Sequence, residues 1–160
     1  MGAYLAAAAV VVLMFVSGCI GERATTTTLP SSISLPADEM RQACFEDGFC
    51  VRLEVVREEG ELSRGLMFRE NISGDYGMLF VFPQMYPYSF WMKNMRFPID
   101  MIWLDDGWMV VHVERDIPPC RQDPCPSCVP KAAARYVLEV AANQTIAHAI
   151  REGSQIKVAS

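Results

Sequence analysis

Asp100 is the residue of this sequence whose setting most clearly suggests chemistry. It interrupts an otherwise apolar run from Phe97 to Leu104. A carboxylate in such surroundings has to be paired with a cation or remain protonated. The pattern therefore indicates either a structural ion pair that fixes strand register or the anchor of a ligand-binding site.

Polar and aromatic residues near this carboxylate could complete such a site. Pro98 suggests that the strand begins there, so that Asp100 lies near an edge or a mouth. Trp91 would supply an aromatic plane, and two arginines stand in equally apolar stretches from which they could converge on the same place. The predicted ligand-binding group is Trp91, Lys93, Asn94, Asp100, Arg69 and Arg135.

The N-terminus is typical of an export signal. Ala3 to Val16 is an unbroken apolar run followed by Ser17, Gly18 and Cys19. It is shorter than the ~20 apolar residues of a spanning helix, and small residues at its end are typical of a cleavage site. Residues 16–19 (Val-Ser-Gly-Cys) resemble the lipobox of prokaryotic lipoproteins. We predict a signal peptide at residues 1–18 and a lipid on Cys19, which would anchor the protein to the membrane facing outside the cytoplasm. An uncleaved N-terminal anchor is the alternative.

Five further cysteines follow Cys19, and outside the cytoplasm thiols tend to be oxidised. Cys44 and Cys50 enclose a short segment with a glycine, and Cys120 and Cys125 close a similar loop. The spacing favours these two disulfides and leaves Cys128 unpaired. The alternatives are a redox pair of Cys125 and Cys128, which would need a thiol of low pKa, or a metal site.

Methionine is abundant in the middle of the chain. Met92 and Met95, with His112 and a thiol, could offer soft ligands to Cu(I). The commoner role of methionine is to fill irregular gaps in a core, and several of these residues fall inside apolar strands. We therefore expect no metal and no cofactor.

Several functions are disfavoured. The net charge of −5 argues against nucleic acid, whose phosphates select a dense basic face. The sequence has no glycine-rich phosphate loop and no Gly-x-Ser-x-Gly elbow. With two histidines it cannot form a three-histidine zinc site. An enzyme is the less favoured class.

Composition divides the chain after its signal. Residues 19–43 are rich in Thr, Ser and Pro and are predicted to be a tether, and residues 44–160 a single domain. A helical turn is expected at Glu61 to Arg64, ended by Gly65, and one C-terminal helix from Gln144 to Glu152. The predicted strands are 51–56, 78–82 (ended by Pro83), 90–92, 99–104, 109–113, 136–140 and 155–158. The pattern predicts a mainly β fold, a compact antiparallel sandwich or barrel of about seven short strands.

Five motifs in fixed order resemble the domain-of-unknown-function family 192, a group of small exported or membrane-associated prokaryotic proteins. They are 64–69 (RGLMFR), 77–83 (GMLFVFP), 90–94 (FWMKN), 98–101 (PIDM) and 134–139 (ARYVLE). The resemblance spans about 51–158 and implies a small, mainly β domain. It implies no activity.

These observations favour a surface-tethered binding or accessory domain. Its ligand would be a small polar molecule or a component of the cell envelope, recognised around Trp91, Lys93 and Asp100. One alternative is an enzyme that uses Cys125 and Cys128 for thiol redox chemistry or Asp100 as a general acid or base. Another is a soft-metal carrier that uses methionines.

Overall fold

The computed structural model describes residues 40–160. The predicted signal peptide, Cys19 and most of the tether lie outside the described residues. Among residues 40–160, no helix is long and apolar enough to cross a membrane.

The described part of the chain is mainly β, as predicted. Its two short helices are α1 (Glu59–Arg64) and α2 (Gln144–Ala147). Its strands are β1 (Gln42–Cys44), β2 (Cys50–Val56), β3 (Tyr76–Tyr86), β4 (Phe90–Trp91), β5 (Ile99–Leu104), β6 (Val110–Ile117), β7 (Ser127–Cys128), β8 (Ala134–Ala141) and β9 (Lys157–Ala159).

Seven strands form one curled sheet in the order β6-β5-β8-β3-β2-β1-β9, and β4 pairs with β7 in a small second sheet. Every paired neighbour is antiparallel except β2 and β3, which run parallel. A parallel pair needs a crossover rather than a hairpin, and the segment that carries α1 supplies it. This crossover places α1 beside the sheet.

The folded domain starts earlier than the predicted boundary at residue 44. Met40 is buried in the core, and β1 pairs with both β2 and β9. Residues 40–43, which composition assigned to the tether, therefore belong to the domain. Within this segment, Met40 and Ala43 are apolar and buried.

Two predicted element ends differ from the structure. β3 continues past Pro83 because the pairing with β8 is irregular between Val81 and Tyr86, so the missing N–H of proline breaks no ladder bond. α2 ends at Ala147 rather than Glu152. Ala149 takes a left-handed conformation (φ 51°), and the Ile150 N–H bonds the Thr145 carbonyl, which closes the helix in a Schellman motif.

The central strands β5, β8 and β3 bury both faces of the sheet, and each face carries its own core. We call one the cavity face; its buried residues include Met78, Phe80, Met101, Trp103 and Val137. The opposite face buries Leu79, Ile102, Leu104, Leu138 and Val140. Because side chains alternate along a strand, neighbouring residues of β5 or β8 belong to different cores.

Candidate functional site

A cavity of about 500 Å³ lies between α1, the β3–β4 segment and the cavity face. It is open on one side. Apolar side chains, aromatic rings and two thioethers among them, make up most of its wall, and Glu139 lies among these residues. The aromatic and sulfur-bearing lining residues are Phe80, Phe82, Tyr88, Phe90, Trp91, Met67 and Met95.

Glu139 brings a carboxyl group into this apolar site. It lies on β8 in register with Met78 of β3 and Met101 of β5, so its side chain shares their face. The residue is 4% exposed, and its Oε2 has no hydrogen-bond partner among residues 40–160. Burial raises the pKa of this carboxyl to about 8, although the positive charge of Arg69 lowers it.

Gly65 allows the end of α1 to approach this carboxyl. It is the C-cap of α1 and has a φ of 48°. A Cβ at this position would lie 3.1 Å from Cζ of Phe80 and 3.9 Å from Oε2 of Glu139. Glycine therefore meets both a conformational and a spatial requirement beside Glu139.

The rim of the cavity is charged. Arg57, Glu59 and Arg64 line it and are exposed to solvent. Within the described residues neither arginine forms an ion pair. The site thus combines solvated charges at its mouth with a buried carboxyl among aromatic rings, whose Oε2 has no partner in the described part of the chain.

A second cavity, of about 240 Å³, adjoins the first at Arg64 and Gly65 and is also lined by Glu54 and Arg69. Arg69 donates to both oxygens of Glu54, at 2.7 and 3.0 Å, and to the Tyr76 hydroxyl at 2.8 Å. Tyr76 in turn donates to Glu54. The Arg69 hydrogen bond lowers the pKa of Glu54, and burial raises the pKa of Tyr76.

The family model DUF192, described as Uncharacterized ACR, matches residues 43–158. This chain belongs to the DUF192 family. The match confirms the family that the five sequence motifs suggested.

Solved structures share the fold of this DUF192 domain. A candidate transcription regulator from Sinorhizobium meliloti 1021 is 22% identical, with a TM-score of 0.65 over 73% of this chain and 90% of that one. A protein of unknown function from Novosphingobium aromaticivorans DSM 12444 is 24% identical, with a TM-score of 0.63 over 72% of this chain and 81% of that one. No curated protein matches this chain. At these identities the likeness establishes the fold alone.

Asp100 of the DUF192 domain is fully buried, and its partners are groups of the chain itself. Oδ1 accepts the N–H groups of Asp116 at 2.8 Å and Asn143 at 3.2 Å. Oδ2 accepts the N–H and the hydroxyl of Thr145 at 2.8 and 2.6 Å. Asn143 makes no side-chain cap, so Asp100 satisfies the N-terminal N–H groups of α2 from a neighbouring strand. It lies outside the lining of the 500 Å³ cavity.

Among the other predicted ligand residues, only Trp91 lines that cavity. The Lys93 ammonium lies 5.3 Å from the centre of the Trp91 ring. Asn94 forms a turn with φ 57°, where its carbonyl accepts the Phe68 N–H. These three residues are neighbours in the chain and lie apart from the contacts of Asp100.

The two predicted arginines occupy separate places. Arg69 is held by Glu54 and Tyr76 at the second cavity. Arg135 lies on β8, and its Nε is buried without a hydrogen-bond partner in the part of the chain that the structure describes. Only Arg69 influences the cavity carboxyl, through its charge.

The structure confirms both predicted disulfides. Cys44 is bonded to Cys50 and Cys120 to Cys125. Cys128 lies on β7, is half-buried and has no disulfide partner among residues 40–160. Burial raises the pKa of its thiol, and the nearby Glu114 adds to that effect. A low-pKa thiolate paired with Cys125 therefore finds no support in this arrangement.

Methionines serve mainly as packing residues. Met78, Met92 and Met101 are buried in the core of the cavity face, and Met95 packs against it. His112 lies between Glu114 and Glu152 at 3.2 and 3.3 Å. Among residues 40–160, no cluster of three histidine, cysteine or acidic side chains could hold a metal.

Glu139 is the site residue that sequence reasoning missed. It interrupts the apolar β8 just as Asp100 interrupts β5. The same argument that selected Asp100 applies to it, so the signal was present in the sequence. The residues that surround each carboxylate decide their different roles.

Proposed function

We propose that this domain is a binding module for a small molecule that enters the cavity above Glu139. The ligand would place a hydrogen-bonding or charged group on the Glu139 carboxyl and an apolar body against the aromatic wall. A concave, mainly apolar cavity with few polar groups is the usual form of a small-molecule site.

The Oε2 of Glu139, which has no hydrogen-bond partner among the described residues, carries this proposal. A buried polar atom without a partner costs about 1–3 kcal/mol, and an apolar side chain at this position would remove that cost. A protein keeps such a group at a stability cost chiefly where function needs it. A ligand that reaches Oε2 would supply the missing partner.

We further propose that the domain works outside the cytoplasm on a lipid anchor at Cys19, as a surface-tethered binding or accessory protein. Two disulfides in a domain of this size are typical of an oxidising compartment. The apolar N-terminal run and the lipobox-like segment support the anchor.

A ligand screen by thermal shift tests the binding function, since a molecule that binds only the native state raises its melting temperature. Ser63 lines the cavity from α1, so Ser63→Trp should fill its mouth and abolish the shift of a true ligand. Glu58 precedes α1, is exposed and does not line the cavity. Glu58→Trp is therefore the matched control and should retain the shift. A hit whose shift survives Ser63→Trp would place binding elsewhere and contradict the proposal.

Proton transfer is the second candidate function. A buried acid whose pKa is raised to about 8 is suited to general acid catalysis near neutral pH. This role moves the predicted acid–base chemistry from Asp100, whose oxygens are occupied, to Glu139. Conversion of a bound ligand by the wild type, but not by Glu139→Gln, would favour the enzyme over the binding module.

A further inference from the structure

We propose that the ligand of this cavity is a cation, a small protonated or quaternary amine with an apolar body. This inference rests on the binding function proposed above and names its ligand class. It depends on how the Glu139 carboxyl, the aromatic rings and the rim charges are arranged.

The first argument is charge compensation. Glu139 lies in an apolar wall, and Arg69, whose positive charge lowers its pKa, is already bonded to Glu54 and Tyr76. A buried carboxylate is costly unless it is paired. A protonated acid also needs an acceptor, and Oε2 has no partner within residues 40–160. A bound cation removes both problems: it pairs with the carboxylate, which then carries no proton that needs an acceptor, and a protonated amine also offers N–H donors to Oε2.

The second argument is the composition of the wall. Phe90 contacts Phe80 edge to face, with ring centres 4.9 Å apart, and Phe82 stacks on Tyr88 at 3.6 Å. Ring faces attract cations through their quadrupoles, and quaternary ammonium groups are bound in such aromatic cages. Trp91 already has the Lys93 ammonium over its ring. Aromatic rings beside one buried carboxyl suit a cation better than an anion.

The charged groups around the cavity permit a cation. Arg57 and Arg64 at the rim and Lys93 over Trp91 are all exposed, so water screens their positive charges. Glu58, Glu59 and Glu61 lie in the same segment, so residues 57–64 carry two positive and three negative charges. From the opposite side, Arg69 is neutralised by Glu54. Glu139 is therefore the carboxyl that a bound cation would meet inside the cavity.

Binding of a cation should release a proton from Glu139. At neutral pH the empty site holds the Glu139 carboxyl protonated, because its pKa is raised to about 8. Binding of a cation favours the carboxylate, so the carboxyl O–H proton passes to solvent as the ion pair forms. Affinity should then rise by up to about tenfold per pH unit between pH 6 and 7.5 and level off above pH 8.

The experiment is calorimetry of the full chain with three probes that share a benzyl group. Benzylamine and benzyltrimethylammonium carry a positive charge, and benzyl alcohol is neutral. Each titration is repeated in two buffers of different ionisation enthalpy, which reports the number of protons released. We expect both cations to bind with release of about one proton at pH 6.5–7 and to bind more tightly as the pH rises. Glu139→Gln should weaken them at least tenfold, and Glu58→Gln should leave them unchanged.

The outcomes separate the two proposals. Binding of benzyl alcohol alone, without proton release and blocked by Ser63→Trp, would overturn the amine assignment and support the binding function. Cation binding that persists in Glu139→Gln would also overturn it. Failure of all three probes would refute the amine class, and the thermal-shift screen would then decide whether the cavity binds any small molecule.

Discussion

Asp100 and Glu139 lie one register position apart on neighbouring strands and point to opposite faces of the same sheet. Glu139 is paired with Met101, and Asp100 with Val140. Both are buried carboxylates in apolar strands, yet one accepts four hydrogen bonds and the other has a buried oxygen with none among residues 40–160. This contrast assigns them different roles, Asp100 in stability and Glu139 in the candidate site.

Asp100→Asn should destabilise the fold. An amide places N–H donors where one oxygen now accepts two hydrogen bonds, so backbone donors at α2 lose their partner. We expect a loss on the order of 3 kcal/mol in the free energy of unfolding, measured by chemical denaturation. Asp106 lies exposed in the β5–β6 hairpin, and Asp106→Asn should change stability by less than about 0.5 kcal/mol. Unchanged stability in Asp100→Asn, with cavity binding lost, would instead assign Asp100 to ligand recognition.

Glu139 should make the domain less stable as the pH rises. In the unfolded chain this carboxyl ionises near 4.5, whereas in the fold its pKa is about 8. Between these values the folded state binds one more proton than the unfolded state, so raising the pH favours unfolding. The wild type should lose up to about 1.4 kcal/mol per pH unit relative to Glu139→Gln.

Parallel denaturation curves of the wild type and Glu139→Gln between pH 4 and 9 check this difference. The free energy of unfolding of the variant should rise relative to that of the wild type between about pH 4.5 and 8 and then level off, and Glu58→Gln should follow the wild type. If the free energy of unfolding changes with pH equally in all three proteins, then Glu139 ionises normally in the fold.

Arg69 should tune the cavity carboxyl from outside. Its positive charge lowers the pKa of Glu139, so Arg69→Met should raise that pKa further. Carbon-detected NMR titration of the Glu139 carboxyl measures the change. Arg52 pairs with Asp75 on an exposed surface, and Arg52→Met removes the same charge there. An equal shift in both variants would mean that the effect is one of net charge alone.

Cys128 should be the one reactive thiol of residues 40–160. In unfolded, unreduced protein, an alkylating agent should label Cys128 and leave the two disulfides intact. In the native protein the reaction should be slow at neutral pH, because burial raises the pKa of this thiol. Peptide mapping that finds Cys128 bridged to Cys120 or Cys125 would contradict this pairing and revive the redox alternative.

Cys19 should carry the lipid. Cys19→Ala would remove the attachment point, so the protein should move from the detergent phase to the aqueous phase on phase partitioning. Mass spectrometry of the N-terminus provides the control, since a lipidated mature chain begins at Cys19. Unaltered partitioning together with an intact Met1 would indicate an uncleaved anchor instead.

Local patterns were sufficient to predict much of the fold. The alternation in residues 51–56 predicts β2, and Gly65 predicts the end of α1. Short spacing also predicts both disulfides, since Cys44–Cys50 and Cys120–Cys125 each close a loop of a few residues. These features depend on side-chain periodicity, turn geometry and short loops, which are properties of neighbouring residues.

Only the tertiary structure separated the roles of the two carboxylates. Asp100 is satisfied by Thr145, 45 positions along the chain, and α2 presents those donors because the sheet brings its strands together in one register. Glu139 lies on the other face of the sheet, where α1 and Gly65 cover it. α1 reaches this face as part of the crossover from β2 to β3, and within residues 40–160 no group donates to the Glu139 Oε2. In sequence the two residues look alike. Their surroundings differ because distant segments pack on opposite faces of the sheet. That packing decides which carboxyl is bonded within the fold and which keeps a buried oxygen without a partner among residues 40–160.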